Sequence, residues 1–212
     1  MSVVTELKAV RGGGVALYVD GSCQGTVSQS FVARWSLHPG RELDEDALET
    51  LRVAALAERA VTDAYRLLEQ RARSRFEVET RLRAKGHGDE AVAGALEQLA
   101  TAGLLDDADF ARRYVADKRN LGGWGVVRIR RGLAGLGVSE DIIDEVVSRD
   151  MPGGDQAELE RALRLLEQKG APRPPLEAAR RRAYQALRRK GFSAAVAYSA
   201  VRSWSEPPFG SG

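Results

Sequence analysis

The amino-acid sequence predicts a mainly α protein, with three tandem three-helix repeats in an elongated array and a small N-terminal β-hairpin or sheet before them. Two observations predict this class. Residues 78–99, 129–150 and 183–204 align with one another without gaps, which indicates a repeated structural unit. Near residue 43 the hydrophobic spacing changes from alternation at period two to the spacing of helices. Because tandem units contact mainly their neighbours, an elongated array is expected.

About the first 35 residues are predicted to form strands. In residues 15–19 the apolar side chains alternate at period two, and the dipeptide Asp20-Gly21 follows as a hairpin turn. Residues 3–10 supply another strand, and the glycines at 12–14 separate it from the hairpin. The resulting sheet is too small to be stable without packing against other elements.

The first helix is predicted to begin just after Leu43. Asp44 is the expected N-cap, because its side chain can accept a hydrogen bond from a backbone N–H of the first turn. Leu43 and Leu48 then stand at the two positions of a hydrophobic staple, directly before the cap and four residues after it.

Each repeat is predicted to contain three helices. The first helices lie around 60–71, 109–119 and 156–169. The second helix of each repeat ends at a glycine in the left-handed conformation, and these glycines are Gly86, Gly137 and Gly191. The next residue folds back onto the helix, and these residues are His87, Val138 and Phe192. The residue after that caps the third helix, and these caps are Gly88, Ser139 and Ser193.

The predicted organisation has five segments. An N-terminal hairpin region covers 1–42, a helix and the first repeat cover 43–105, the second repeat covers 106–152, the third covers 153–206, and a flexible tail covers 207–212.

Composition excludes several classes of protein. The single cysteine, Cys23, rules out an intrachain disulfide and suits a reducing compartment. No apolar run approaches the roughly 18 residues of a membrane span, and the N-terminus does not resemble a signal peptide. A cytoplasmic protein is therefore expected. The net charge is only +2, but residues 155–212 hold 11 basic and 6 acidic side chains, which favours an anionic partner.

No catalytic residue, cofactor site or metal site is predicted. Asp106, Asp107 and Asp109 form an acidic cluster, which is interpreted as charge compensation at a helix N-terminus. His38 and His87 are isolated, and one cysteine is too few for a zinc site. The glycines at 12–14 lack the Gly-Lys-Ser/Thr sequence of a phosphate-binding loop, and no base accompanies Cys23, which is interpreted as a strand residue.

Basic residues give the strongest functional signal, because they recur on the middle helix of every repeat. In the first repeat they are Arg71, Arg73, Arg75, Arg81, Arg83 and Lys85. In the second they are Arg128, Arg130 and Arg131. In the third they are Arg180, Arg181, Arg182, Arg188, Arg189 and Lys190. If equivalent helices line up, these residues form a continuous basic stripe that fits a phosphate backbone or the acidic surface of a protein polymer.

A simpler interpretation of the basic stripe is three solvated helix faces, partly neutralised by Glu77, Glu79 and Glu177. Few aromatic residues accompany the basic ones in sequence, so base stacking is not indicated.

Three segments carry a family resemblance: RSRFEVETRLRAKG at 73–86, GLLDDADFARRYVADKR at 103–119 and GGWGVVRIRRGLAGLGVSEDII at 122–143. The Asp-Asp and Phe-Ala pairs of the middle segment are the most specific part. The segments resemble the RecX family. The resemblance implies tandem three-helix units without enzymatic activity, which bind along the groove of the RecA filament on single-stranded DNA. It also implies that filament growth, strand exchange, ATP hydrolysis and co-protease activity are blocked.

The partners that the resemblance implies are RecA, its filament on single-stranded DNA and the DNA backbone, with no membrane, and a monomeric protein is expected. Two features depart from the family pattern: His87 replaces an aromatic or aliphatic residue, and residues 171–175 lengthen a loop of the third repeat. Two rival functions remain open. Paired helices favour an independent DNA-binding or transcriptional protein. Asp106 and Asp107 favour a metal-dependent nuclease.

Overall fold

The protein is described by a computed structural model that covers residues 1–11, 13–168 and 170–206. The predicted tail at 207–212 lies outside the described residues. The chain forms two compact units, Met1–Asp106 and Asp107–Gly212. No described helix is long and apolar enough to cross a membrane.

The N-terminal segment forms a four-stranded antiparallel sheet in the order β3-β2-β1-β4. The strands are β1 (Ser2–Ala9), β2 (Gly14–Val19), β3 (Ser22–Ser28) and β4 (Glu42–Leu43). The predicted hairpin is confirmed: Asp20 and Gly21 both have positive φ, at 49° and 76°, and Val19 pairs with Ser22. Cys23 lies in a strand, as predicted.

Residues 29–34 were expected to be extended, and this expectation is wrong, because they form the short helix α1 (Gln29–Arg34). The Ser28 hydroxyl caps this helix by accepting a hydrogen bond from the backbone N–H of Phe31 at 3.0 Å. The Phe31 ring is only 1% exposed and packs into the core under the sheet. Burial of this ring therefore fixes a turn of helix where the sequence pattern had indicated a strand.

Helix α2 (Glu45–Gln70) begins where predicted, since Asp44 Oδ1 accepts a hydrogen bond from the N–H of Ala47 at 2.7 Å. The staple is also confirmed, because the neighbouring leucines at 43 and 48 both join the core under the sheet. The helix does not stop before the first repeat. Its N-terminal half gives Leu51 and Ala55 to the sheet core, and its C-terminal half gives Ala60 and Ala64 to the core of the first repeat.

All three repeats have the predicted three-helix organisation. The first repeat uses the second half of α2 with α3 (Arg75–Ala84) and α4 (Asp89–Thr101). The second contains α5 (Asp107–Asn120), α6 (Val126–Gly135) and α7 (Glu140–Asp150). The third contains α8 (Gly154–Glu167), α9 (Leu176–Lys190) and α10 (Ala194–Ser205). Each repeat encloses its own hydrophobic core.

The turn after each middle helix is the same in all three repeats. Gly86, Gly137 and Gly191 have φ of 85°, 75° and 89°, which confirms the left-handed ends. The following N–H groups donate back to Leu82, Leu133 and Leu187 at 3.2, 3.2 and 3.1 Å, as in a Schellman motif. The caps differ, because Ser193 Oγ accepts a hydrogen bond from the N–H of Val196, whereas Ser139 makes no side-chain cap bond.

Candidate nucleic-acid interface

Most basic residues of the first repeat are paired with carboxylates of the same unit. Arg71 and Arg81 contact Glu77 at 2.6 and 3.4 Å. Arg83 contacts Glu79 at 2.6 Å and Asp89 at 3.0 Å. Lys85 lies 3.0 Å from Asp63, and Arg75 is exposed on α3. These side chains therefore contribute little uncompensated positive charge.

The pKa values of two carboxylates in these contacts reflect the pairing. Burial acts to raise the pKa of Glu77, but the hydrogen bonds from Arg71 and Ser74 and the charge of Arg81 outweigh it and lower this pKa. Burial also acts to raise the pKa of Asp63, but the hydrogen bonds with His87 and Lys85 outweigh it, so this pKa also lies below its ordinary value. Both carboxylates are therefore held ionised beside their cations.

Arg73 does not lie on the surface. This residue precedes α3 in the chain and is only 8% exposed. Its Nε donates to the Leu67 carbonyl at 2.9 Å, and one guanidinium nitrogen donates to Gln70 Oε1 at 3.1 Å. Arg73 thus closes the C-terminal end of α2, where helix carbonyls lack partners within the helix.

The three predicted basic residues of the second repeat have different surroundings. Arg130 is held by Glu140 and Asp144 of α7. The guanidinium of Arg128 stacks on Trp124, with its central carbon 3.8 Å from the ring centroid. Arg131 is exposed and forms no ion pair within the described ranges. Arg128 and Arg131 therefore keep charge available to a ligand.

Among the described residues, helix α9 of the third repeat holds the largest group of predicted basic residues without a carboxylate partner. Arg180 contacts Glu177 and the hydroxyl of Ser205. The remaining members make no ion pair with any described Asp or Glu, and they are Arg181, Arg182, Arg188, Arg189 and Lys190. Among these, Arg188 donates to the Phe192 carbonyl and Lys190 to the Gly122 carbonyl, at 2.8 and 2.7 Å.

The middle helices of the second and third repeats meet end to end. At the N-terminus of α6, the N–H of Gly125 donates to the Lys190 carbonyl at 2.8 Å, and the N–H of Val127 donates to the Gly191 carbonyl at 3.1 Å. Arg128 adds a bond from its guanidinium to the Arg189 carbonyl at 3.1 Å. The positive end of one helix dipole therefore meets the negative end of the other, and the basic residues of α9 and α6 become neighbours.

Two glycines permit this close approach. A Cβ at Gly125 would lie only 2.5 Å from the Gly191 carbonyl oxygen, and a Cβ at Gly191 would lie 2.6 Å from the Arg128 backbone nitrogen. At the equivalent turn glycine of the first repeat, Gly86, a Cβ would meet nothing within 4 Å. The third repeat therefore uses its turn glycine for a close contact that the turn glycine of the first repeat does not make.

A buried ion pair reinforces the junction. Glu158 of α8 accepts a hydrogen bond from the N–H of Val126 at 3.2 Å and another from Arg161 at 2.9 Å. Arg161 also donates to the Trp124 carbonyl at 2.6 Å. Burial raises the pKa of Glu158 and lowers the pKa of Arg161. The pair thus anchors the third repeat to the first turn of α6.

Sequence reasoning missed several cations beside this junction. A cavity of about 440 Å³ is lined by the loop after α5 and by Arg119, Arg161, Arg164 and Lys190, and no Asp or Glu is among its described lining residues. Arg119 and Arg164 stand in the last turns of α5 and α8, where basic residues usually compensate the helix dipole. Their sequence positions therefore gave no separate signal, and only folding brings them to Lys190.

The predicted acidic cluster lies at the start of α5. Asp106 directly precedes this helix, and Asp107 and Asp109 lie in its first turn. Asp109 forms ion pairs with Arg112 and Arg113 at 3.0 and 2.7 Å. His87 Nε2 lies 2.9 Å from Asp63 Oδ2. Within the described part of the chain, no three His, Cys, Asp or Glu residues come together as possible metal ligands.

Comparison with known proteins agrees with these repeats. The family model for the first three-helix domain of RecX matches residues 60–99, and the model for the second matches 106–147. Regulatory protein RecX of Chromohalobacter salexigens is 32% identical over 142 residues, which cover 67% of this chain and 91% of that protein. The RecX of Mycolicibacterium smegmatis is 32% identical over 151 residues, 68% of this chain and 78% of that protein.

The chain belongs to the RecX family.

Solved RecX structures share the fold. A crystal structure of a regulatory protein RecX matches 96% of this chain and 100% of its own, with a TM-score of 0.69 and 24% identity. The crystal structure of RecX from Lactobacillus salivarius has a TM-score of 0.62, with 21% identity, and covers 71% of this chain and 97% of that one. The family resemblance and the predicted tandem three-helix fold are confirmed. The RecX relatives are regulatory proteins rather than an enzyme family.

Proposed function

We propose that this RecX protein binds the RecA recombinase and its filament on single-stranded DNA, and that it inhibits ATP hydrolysis, strand exchange and co-protease activity. The protein acts in the cytoplasm as a monomer, by occupying the filament rather than by a catalytic step. Membership of the RecX family supports the regulatory role, and the arrangement of the basic residues supports contact with the DNA backbone.

The observation that carries this proposal is the junction of α9 and α6. Arg181, Arg182 and Arg189 have no described carboxylate partner, and the α9 helix that holds them ends against the start of α6. Beside this junction lies the cavity lined by Arg119, Arg164 and Lys190. A phosphate backbone that follows α9 towards α6 therefore meets positive charge along its course.

The first repeat takes a different part in this proposal. Its basic residues are already neutralised by Glu77, Glu79, Asp89 and Asp63, so they offer a phosphate backbone less attraction than α9 does. The backbone contacts are therefore assigned mainly to the second and third repeats, and the proposed interface is smaller than the predicted basic stripe.

The geometry favours neither rival function. In a helix-turn-helix protein the first residues of the recognition helix enter the major groove. Here α4 begins with Asp89 and Glu90, and α7 begins with Glu140 and Asp141, so these two helices would repel phosphates. For a nuclease, Asp106 and Asp107 would need further metal ligands beside them, and no group of three His, Cys, Asp or Glu residues is found among the described residues.

The decisive experiment measures ATP hydrolysis by the cognate RecA on single-stranded DNA, with and without this protein. We expect the rate to fall as the protein is added, and strand exchange to slow in parallel. Unchanged RecA kinetics at a saturating concentration would refute the proposal. Specific binding to one duplex sequence without any effect on RecA would support the transcriptional alternative instead.

Matched variants test the assigned surface. The double change Arg181→Gln and Arg182→Gln removes two cations without described carboxylate partners. The control Arg112→Gln and Arg113→Gln removes the same charge, but from residues paired with Asp109. We expect the first variant to weaken single-strand binding and to flatten the log affinity against log salt slope by about 0.7 for each lost phosphate contact. If both variants weaken binding equally, total charge rather than this surface controls affinity.

A further inference from the structure

The third repeat has a groove between α9 and α10 that places two tyrosines beside α9 arginines. The groove has a volume of about 500 Å³, and its lining includes Tyr184, Tyr198, Val201 and Arg181. Tyr198 is 67% exposed, more than any other described aromatic side chain. In the linear sequence these rings are separated from each other, so their common position with Arg181 is a product of folding.

The ring of Tyr198 is poorly covered by the protein itself. Tyr184 is half-buried and packs against the core of the third repeat, and Val201 is 6% exposed and belongs to that core. The groove therefore has an apolar base and an open aromatic wall. One exposed aromatic ring is ordinary on a protein surface, but a ring that borders an apolar groove offers a flat partner a place to stack.

Four of the five charged residues that line the groove form two ion pairs, and the fifth is Arg181. Glu177 pairs with Arg180 at 3.2 Å, and Glu206 pairs with Arg202 at 2.9 Å. Arg181 has no partner among the described acidic residues, and Arg182 follows it, exposed on the same helix. The paired charges cancel inside the groove, whereas positive charge remains on α9. Such a surface fits a ligand with a neutral planar group attached to an anionic backbone.

We infer that this groove binds an unpaired nucleobase of single-stranded nucleic acid, with the base stacked on Tyr198 and the adjoining phosphate held by Arg181. This inference rests on the proposed function and deepens it, because it adds a base contact to the backbone contacts of α9. Aromatic rings and guanidinium groups stack on bases of any sequence. In a duplex the bases are stacked on one another, so the groove selects single strands over duplexes. A purely acidic peptide fits less well, because it has no planar group to stack on the ring.

The test compares wild type with Tyr198→Ala and Tyr198→Phe by fluorescence anisotropy. The probes are a labelled oligothymidylate, an abasic oligonucleotide of the same length and a duplex. We expect Tyr198→Ala to weaken oligothymidylate binding about fivefold or more, since a stacked base contributes about 1–3 kcal/mol. Binding of the abasic strand and the salt slope stay unchanged in this variant. Tyr198→Phe keeps the ring and binds like wild type.

Two controls make the result specific. Phe76→Ala removes another exposed ring, which is 50% exposed and lies outside the groove on α3. It should bind all three probes like wild type. Arg181→Gln should flatten the salt slope on both single strands, which Tyr198→Ala does not do. Circular dichroism confirms that each variant is folded.

Three outcomes would overturn the inference: wild-type affinity of Tyr198→Ala for oligothymidylate, an equal loss on the abasic strand, or an equal loss with Phe76→Ala. If Tyr198→Ala weakens binding to the RecA filament but not to free oligothymidylate, the groove binds protein and the inference also fails. The proposed function fails separately. If the wild-type protein leaves RecA unaffected, the proposed regulatory role is refuted. The base site is still supported in that case if Tyr198→Ala loses base-dependent binding.

Discussion

At the scale of single residues, the same side-chain type serves opposite purposes. Arg73 is buried and donates to a helix carbonyl, Arg130 is locked between two carboxylates, and Arg182 is exposed without a described acidic partner. A buried arginine contributes to stability through its hydrogen bonds, because removing it leaves acceptors unsatisfied. An exposed arginine contributes to long-range attraction instead. The surroundings of each arginine therefore decide its role.

Replacing Arg73 tests this distinction. We expect Arg73→Ala to lower the free energy of unfolding by about 1–3 kcal/mol, because the Leu67 carbonyl and the Gln70 side chain lose a buried donor. Arg131→Ala, at an exposed position, should change it by less than about 0.5 kcal/mol. Chemical denaturation of both variants measures the difference. An unstable Arg131→Ala or a fully stable Arg73→Ala would contradict the assignment.

The carboxylate of Asp63 predicts a pH dependence. Burial opposes the shift, but the hydrogen bonds from His87 and Lys85 prevail, so the folded pKa lies below the ordinary value of 3.8. The folded state thus binds this proton less tightly than the unfolded state does. The stabilisation from Asp63 is complete above pH 3.8 and is lost as the pH falls through the folded pKa.

Wild type and Asp63→Asn should therefore differ most in free energy of unfolding at neutral pH, and the difference should shrink in acid. Denaturant titrations at a series of pH values measure it. A difference that stays constant down to the acid transition would show that the charge of Asp63 is not what stabilises the contact. Asp117→Asn, on the exposed face of α5, is a suitable control.

At the scale of secondary-structure elements, a helix end matters as much as a helix face. The first N–H groups of α6 have no partner within their own helix, and the third repeat supplies acceptors from Lys190, Gly191 and Glu158. The two middle helices thereby satisfy each other's open ends. Close contact of the backbones requires glycine on both sides, at Gly125 and Gly191.

Equivalent glycines provide a matched test of this contact. Gly86→Ala should cost about 1–2 kcal/mol, because alanine is strained in the left-handed region but meets open space there. Gly191→Ala carries the same strain and also clashes with the Arg128 backbone. We therefore expect Gly191→Ala to lower the free energy of unfolding more than Gly86→Ala does. Urea denaturation measures the free energy of unfolding of both variants. Equal losses would mean that the contact between α9 and α6 accommodates the added methyl group without destabilising the protein.

At the scale of the whole molecule, the repeats are grouped unequally. The first repeat shares α2 with the N-terminal sheet and belongs to the unit Met1–Asp106. The second and third repeats form the unit Asp107–Gly212 and are joined by the Glu158–Arg161 pair and by backbone hydrogen bonds. A deletion that removes only the third repeat would uncover the start of α6, so the boundary between the units is the better place to divide the chain.

We expect the fragments 1–106 and 107–212 to fold independently, since each contains two complete hydrophobic cores. Each fragment should melt in one cooperative transition when followed by circular dichroism. The fragment 107–212 should also retain most of the affinity for oligothymidylate, because the exposed α9 arginines lie within it. This division is refuted if fragment 107–212 shows no cooperative transition, or if fragment 1–106 rather than 107–212 retains the affinity for oligothymidylate.

The sequence by itself determined the repeated unit, since a glycine at the end of each middle helix and a buried leucine before it impose the same local turn three times. It also determined the hairpin turn and the Asp44 cap, because these depend on neighbouring residues. Helix α1 and the continuity of α2 could not be predicted, because burial of Phe31 and of the α2 face depends on distant elements.

Tertiary structure alone decided which arginines face solvent without a described acid partner. In sequence, Arg73 and Arg182 are equally basic, and only packing buries one and exposes the other. It also brought Lys190 to the loop after α5 and Tyr198 to Arg181, across separations that no local pattern records. The physical reason is that charge pairing and burial are set by neighbours in space, whereas turns and caps are set by neighbours along the chain.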